Sequence, residues 1–374
     1  MINSRDKKQC SGCTACANIC PYQAIQMKPD NLGFLYPVID SARCTECGIC
    51  DSVCPFNHVC NLNDSLPQPY PYAVRHKDMN QLRSSQSGAA FIAISNWILE
   101  HKGVVYGAGY TDSFEVVHKR SVTKKGRDEF RGSKYVQSHP GNLFQQIKTD
   151  LLNGKEVLFS GTPCQTSGLY FYVNSALRKK LYLIDLVCHG VASPYMWRDY
   201  LRYLEGKYKK RIISVNFRDK SFGWHSHRES FCFNDGYTIY PYFSIYQDSL
   251  LRPSCGICPF ACLKRPSDIT IGDFWGIERN HPLMGADNKG CSLLLCNTLK
   301  GKKLFDEIKD SVQFQLVGIE ECLQPNLIHP TFIPHYHLLL EWSYRSGGIV
   351  LVMLVLKIIK KIVRITNLIK YGIS

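Results

Sequence analysis

The chain has 374 residues, 45% of them hydrophobic, and its 45 Lys and Arg outweigh 31 Asp and Glu to give a formal net charge of +14. That length predicts two or three domains with ample core, and basic residues mixed with 12% aromatics form no known nucleic-acid-binding motif, so nucleic acid is set aside as a partner. Eighteen cysteines in a chain that opens on the polar stretch Met1 to Lys8, with no signal peptide, point to a reducing cytoplasm and away from a disulfide framework.

The first predicted element is a duplicated cysteine run, Cys10-x2-Cys13-x2-Cys16-x3-Cys20-Pro21 and Cys44-x2-Cys47-x2-Cys50-x3-Cys54-Pro55. This is the ligand spacing of a ferredoxin with two [4Fe-4S] clusters: three thiolates wrap one cluster and the fourth, before proline, reaches the other. On that logic Cys10, Cys13, Cys16 and Cys54 hold one cluster, and Cys44, Cys47, Cys50 and Cys20 hold the second. Paired CxxC knuckles also suit zinc, but the third evenly spaced cysteine and the Cys-Pro ending, both repeated, argue against it. Residues 1–60 therefore read as an α+β ferredoxin-like domain built by internal duplication. Within it Arg5, Lys7, Lys8, Lys28 and Arg43 balance Asp6, Asp30, Asp40, Glu46 and Asp51, so the positive excess lies downstream. Two clusters form a wire, and a wire needs a terminal at each end.

Residues 61–71, rich in Asn and Pro, read as a linker. Beyond it, two regions, 72–155 and 156–335, alternate strands and helices in the manner of an α/β fold. Gly88 to His101 is a helix candidate, Gly103 to Tyr110 and Phe114 to Arg120 are paired strands, and Pro140 to Asn153 is helical with Pro at its start. Glu156 to Ser160 is a short buried strand followed by the loop Gly161 to Gln165. Leu181 to Val187 is another strand, followed by Cys188-His189-Gly190 and a helix opened by Ser193 and Pro194. Both strand-to-loop junctions carry a cysteine, where an open α/β sheet places a ligand. Phe231 to Tyr240 reads as a hairpin turning at Asn234-Asp235-Gly236, and Ile269 to Ile271 and Ser292 to Cys296 are further strands. Residues 342–374 carry six basic residues and no acidic one. The apolar run Ile349 to Leu356 is too short to span a bilayer, while Lys357, Lys360, Lys361 and Arg364 recur at helical spacing opposite isoleucines. A basic amphipathic helix on an anionic membrane surface fits this pattern, and docking on a partner subunit or on the protein's own core is the alternative.

Five stretches carry a family resemblance: Ser84-Ser85-Gln86-Ser87-Gly88, Arg131 to Ser138, Phe159 to Gln165, Asp185-Leu186-Val187-Cys188-His189-Gly190, and Asp268 to Gly276. Together, in order over roughly residues 71–330, they resemble the beta subunit of coenzyme F420 hydrogenase/dehydrogenase. The resemblance implies an α/β flavin-binding catalytic domain with FAD, and a hydride exchanged with a deazaflavin or electrons passed to other acceptors. It also implies a third cluster beside the flavin, carried over to Cys164, Cys188, Cys255 and Cys258, with Cys262 a local competitor for the fourth place.

Read physically, the small residues Ser84, Ser85, Ser87 and Gly88 precede a helix whose free amides could hold a diphosphate, although such a loop is more often just a cap. Gly132, Ser133 and Lys134 supply a flexible backbone, a hydroxyl and a cation for a phosphate. Gly161, Thr162 and Gln165 form a turn after a buried strand, where a cofactor or an ordinary tight loop would fit equally. Trp224, amid Arg218, Asp219, Lys220, Gly223, His225 and His227, could stack on an aromatic ring or simply pack, and His189 could relay a proton. Cys60, Cys232, Cys291, Cys296 and Cys322 read as structural. The expected activity is that of a cytoplasmic iron-sulfur flavoprotein oxidoreductase, placed at the inner membrane face if the terminal helix docks there, serving a redox partner protein or a small electron donor. The competing expectations are an electron-transfer adaptor without its own turnover, and a reductase of a lipid- or sugar-linked substrate.

Overall fold

The computed structural model describes Ile2, residues 6–58 and residues 65–371, without the side chains of Asp248 and of residues 365–371; Cys60 and residues 61–64 of the expected linker lie outside it. The cysteine duplication is visible in the backbone. Gly12 and Thr14 of the first run, and Glu46 and Gly48 of the second, all adopt positive φ, the left-handed kink that lets a short loop turn its thiols inward. Each loop runs into a short helix, α1 (Ala15–Ile19) in the first half and Ile49–Ser52 in the second. Between them β1 (Ile25–Pro29) pairs antiparallel with β2 (Leu35–Ile39).

The larger unit is one eight-stranded sheet. Its strands are β3 (Ser65–His76), β4 (Val104–Tyr110), β5 (Val116–Ser121), β6 (Val157–Gly161), β7 (Leu181–Leu186), and, after the small sheet described below, Ile269–Asp273, Ser292–Thr298 and Val312–Leu316. Residues 65–71 are thus strand and not linker. Pro67 and Pro69 are tolerated because the pairing register of β3 shifts there, so few ladder N–H groups are needed. Strands from residues 72–155 and from 156–335 interleave in this one sheet, so the two regions do not form separate layers.

The small sheet is β8 (Ile212–Asn216), β9 (Ser230–Phe233) and β10 (Thr238–Ile239), the last two joined by the expected Asn-Asp-Gly hairpin. With Ile269–Asp273, Ser292–Thr298 and Val312–Leu316 as β11, β12 and β13, the large sheet runs β13-β3-β12-β11-β7-β6-β4-β5. β4, β6, β7 and β11 are mutually parallel, and every residue of β12 is buried, the signature of a strand covered on both faces.

One face is covered by α2 (Ala90–Glu100) and the helix Leu299–Ile308; α3 (Leu143–Leu152) and α4 (Pro163–Tyr172) cover the other. Cys13, Ala15 and Val53 belong to the same apolar cluster as α3 and α4, so the ferredoxin unit packs on this face as part of one core. Gly168 of α4 makes the contact: a Cβ there would stand 2.9 Å from the Cys13 Sγ. The tip of the β1–β2 hairpin is held likewise, since the Leu32 carbonyl accepts from the Ser193 hydroxyl at the start of α5 (Pro194–Tyr208).

With the helix Leu299–Ile308 numbered α6, the chain closes on α7 (His337–Tyr371), broken at Gly347 and Gly348. Leu340, Ile349, Val352 and Leu356 are buried against Met196, Trp197, Tyr200 and Leu204 of α5. The first half of α7 is therefore a lid on the protein's own core. Leu354, Ile358, Ile362 and Val363 remain exposed, and among the described residues no helix is long and apolar enough to cross a membrane.

Candidate redox site

Cys10, Cys13, Cys16 and Cys54 line one cavity of about 130 Å³ in the ferredoxin unit, with Met27 and Tyr36 beside them. Burial and neighbouring thiols push Cys16 up to about 12 and Cys13 well above its ordinary value. Such thiols ionise only if a metal takes up the charge. The other four are more open: Cys20 and Cys50 pack around Cys16, while Cys47 is exposed. The Cys20 Sγ accepts from the Ala24 N–H at 3.3 Å.

A second cavity, about 420 Å³, lies at the C-terminal ends of β6, β7 and β11. Its floor on one side is the N-terminus of α2, where Ala89 at φ +65 is the N-cap and no side chain caps the helix. The Ser85 hydroxyl and the Gln86 amide nitrogen are buried beside it without partners. Lys220 turns the loop by donating to the carbonyls of Leu82, Ser85 and Ser87 at 2.9, 2.8 and 3.2 Å. Of the sequence-expected residues, Ser85, Ser87, Gly132, Ser133, Lys134, Gly161, Thr162 and Gln165 all line this cavity. Two do not. Ser84 sits in an adjoining groove with its hydroxyl engaged by Arg131 and Asn80, and Gly88 is a packing residue: its N–H donates to Ser292 Oγ, and a Cβ would lie 2.0 Å from the Val74 carbonyl.

The expected phosphate cation is otherwise employed. Lys134 spends its three N–H donors on the carbonyls of Glu129, Arg131 and Gly132, and burial brings it down to about 7, so it ties the Gly132 loop instead of offering a free charge. The Gly161-to-Gln165 segment is also more ordered than a loop. Thr162 is the N-cap of α4, Pro163 its first residue, and Gln165 reaches back to accept from the Thr162 N–H at 3.1 Å, a capping box that fixes Cys164 in the first turn.

Cys164, Cys188, Cys255 and Cys258 converge on the wall of this cavity from three separate segments, the first turn of α4, the loop after β7 and the turn around residues 253–258. Burial pushes Cys255 and Cys258 up to about 12, and Cys188 is raised by burial and then by Cys255, Cys164 and Cys258. Gly190, at φ +132, leaves room for Cys255, whose Sγ would meet a Cβ there at 3.3 Å. Cys262 is outside the wall, its Sγ donating to the Lys264 carbonyl at 3.1 Å. The loop is pinned by Arg265, fully buried, which donates to the carbonyls of Cys262, Leu186 and Asn326 and stands 3.5 Å from the buried Asp185 carboxylate. Cys291, Cys296 and Cys322 lie in apolar clusters away from the cavity.

Trp224 does not face the cavity. It is wholly buried, donates to Asp273 at 2.6 Å and stacks on Trp275 at 5.0 Å; Trp275 is the ring that lines the wall, with Arg218 5.0 Å over it. Sequence reasoning missed His118, whose Nε2 faces the Ser160 carbonyl at 3.2 Å. A carbonyl only accepts, so Nε2 carries the proton, and burial holds the ring neutral with its pKa at about 4. His189 and His227 are also on the wall.

Residues 154–321 match the family model for the C terminus of the "Coenzyme F420 hydrogenase/dehydrogenase, beta subunit", and residues 9–58 match the "4Fe-4S dicluster domain". Among solved structures, a chain of the F420-reducing [NiFe] hydrogenase complex from Methanosarcina barkeri is similar at 15% identity, covering 76% of this chain and 94% of that one with a TM-score of 0.48. No curated protein matches.

Proposed function

Because the chain belongs to the coenzyme F420 hydrogenase/dehydrogenase beta-subunit family and carries a 4Fe-4S dicluster domain, we propose that it is a flavin-dependent iron-sulfur oxidoreductase of the reducing cytoplasm. Flavin bound in the 420 Å³ cavity would exchange electron pairs with a substrate and single electrons with iron-sulfur clusters. The observation that carries this reading is that four cysteines from three separate segments share one cavity with an uncapped helix N-terminus. Amides at the start of α2 and the Ser85 hydroxyl suit the diphosphate of FAD, and Trp275 offers an aromatic face. Cys164, Cys188, Cys255 and Cys258 would hold a third cluster; Cys10, Cys13, Cys16 and Cys54 would hold the next, and Cys20, Cys44, Cys47 and Cys50 the outermost, toward a redox partner. A small electron donor would enter along the groove of Arg83, Asp219, Lys220 and Lys289 that adjoins the cavity.

The test is anaerobic reconstitution followed by flavin extraction and iron analysis. We expect flavin and about twelve irons per chain, from three four-iron clusters, and Cys258→Ser and Cys188→Ser should each lose about four while keeping the rest. Iron unchanged in both variants rejects the third cluster. Persistent absence of flavin rejects the flavoprotein and favours an electron-transfer adaptor.

A second reading concerns α7. Beyond its buried first turns, Leu354, Ile358 and Ile362 share an uncovered face flanked by exposed Lys357, Lys360, Lys361 and Arg364, which suits an anionic lipid surface.

A further inference from the structure

Arg252 lies between the two innermost cysteine groups and is fully buried. Its Nε donates to the Cys10 carbonyl at 2.8 Å, and its two terminal nitrogens to Gln137 Oε1 at 2.8 Å and to the Leu35 carbonyl at 2.9 Å. Gln137 in turn donates to the Ser11 carbonyl at 3.0 Å. Gly12, at φ +68, makes the approach feasible, because a Cβ there would stand 2.6 Å from Gln137 Nε2 and 3.0 Å from the guanidinium. On its other side the Arg252 carbonyl accepts from the Cys255 N–H, and its own N–H donates to Val191, three residues past Cys188. Ser11 and Phe56 line both cavities, so this region is the partition between them.

The hydrogen-bond partners of this guanidinium are all neutral oxygens, and no carboxylate pairs with it among the described residues. A buried charge without a counter-charge costs several kcal/mol. Tyr36 and Phe34 stack beneath it at 4.3 and 5.4 Å, which offsets only part of that cost. The groups within reach that could supply the remaining negative charge are the cysteines of the two loops it bonds, Cys10 through its carbonyl and Cys255 through its N–H.

We propose that Arg252 is the electrostatic bridge between the Cys10/Cys13/Cys16/Cys54 site and the Cys164/Cys188/Cys255/Cys258 site, a fixed positive charge that raises the reduction potentials of the clusters on both sides. This rests on the cluster assignment proposed above. An electron passing from one site to the other leaves the first one unit less negative and makes the second one unit more so. A cation bonded to both loops stabilises the added charge at either end, so the transfer is kept near balance. Arg252 is a positioning and tuning residue, and the conservative lysine separates charge from clamp.

The experiment is a redox titration of the reconstituted full chain monitored by EPR, comparing wild type with Arg252→Gln and Arg252→Lys. In the Gln variant two of the three cluster potentials should move to more negative values while the Cys20/Cys44/Cys47/Cys50 cluster stays put. The Lys variant should keep potentials near wild type even though its lost hydrogen bonds lower stability. If the Gln variant fails to load clusters, Gln137→Glu sets a carboxylate against the intact guanidinium, losing only the bond to Ser11, and must move the same two potentials the same way. Potentials unmoved in a fully loaded Gln or Glu variant, or all three moved equally, overturn the proposal. A wild type that takes up only two clusters overturns the assignment beneath it instead.

Discussion

Gly168 and Gly206 make opposite predictions for one substitution. Both sit inside helices, α4 and α5, where Gly→Ala gains about 1 kcal/mol from backbone entropy. At Gly206 the new Cβ meets nothing within 4 Å, so the gain stands whole and Gly206→Ala should stabilise the protein by about 1 kcal/mol. At Gly168 the Cβ falls 2.9 Å from Cys13 Sγ, 3.3 Å from Ala15 Cβ and 3.4 Å from Cys13 Cβ. None of these is the free end of a long side chain, and overpacking at such a contact costs roughly 1–3 kcal/mol. Helix entropy therefore loses or at best breaks even, giving a net destabilisation of about 0–2 kcal/mol. The strain is also directed at one thiol, so Gly168→Ala should lower iron occupancy as well as stability, and Gly206→Ala should not. Anaerobic urea unfolding of the reconstituted proteins, with iron counted after desalting, reads both quantities. A Gly168→Ala protein stabilised as much as Gly206→Ala and carrying full iron would refute the docking of the ferredoxin unit on α4.

Glu229 is buried with one oxygen unpartnered and the other bonded to the Ser244 hydroxyl, and burial pushes its carboxyl up to about 7. A raised carboxyl favours the fold while protonated: that stability is complete below the unfolded value of about 4.3 and is lost as pH rises through 7, about 4 kcal/mol in all. Glu229→Gln should flatten the stability curve between pH 5 and 8, and an unchanged wild-type slope in the variant would contradict this. For α7, replacing Lys357, Lys360, Lys361 and Arg364 by Glu leaves Ile349, Val352 and Leu356 in the core, and should abolish co-sedimentation with phosphatidylserine vesicles without altering the fold. Binding that survives charge reversal, or a wild type that ignores such vesicles, sinks the membrane reading.

What the sequence made legible was what local geometry dictates. The crossed set Cys10, Cys13, Cys16 and Cys54 followed from spacing, because a tight loop allows its thiols few arrangements. The strands β4 to β7 and the hairpin at Asn234 followed from apolar runs and turn residues. The start of α4 was written in Thr162-Pro163 and Gln165 as cap, first residue and box partner, yet the segment reads equally as a loop until its downstream turn is seen to be helical. Other features depend on partners far along the chain. Arg252 meets a carbonyl 242 residues away, and nothing near it in sequence signals that. Lys134 looks like a phosphate cation beside small residues, and only the surrounding carbonyls show it, like Lys220, to be an internal tie. Trp224 and Trp275 are stacked on each other, and which of the two faces the cavity is a matter of tertiary packing alone.

The same packing explains why the ferredoxin unit is more than a tethered module. Asn18 of α1 donates to the Gly141 carbonyl at 2.9 Å and accepts from Gln145 at 3.2 Å, while Tyr195 lies against Gly33 so closely that a Cβ would stand 2.7 Å from its ring. Add Gly168 on Cys13 and Arg252 on Cys10, and three contacts from separate segments of the larger unit fix the first cysteine run, while Tyr195 holds the hairpin that follows it. A flexible linker would leave its distance from Cys164 and Cys255 to vary over many ångströms. Here that distance is set by a shared apolar core and by glycines without which the backbones could not meet. The second run reaches the same core through Val53, while its Cys47 is exposed. The dicluster unit is thus asymmetric, with Cys13 of its first run buried in the shared core and Cys47 of its second run at the surface.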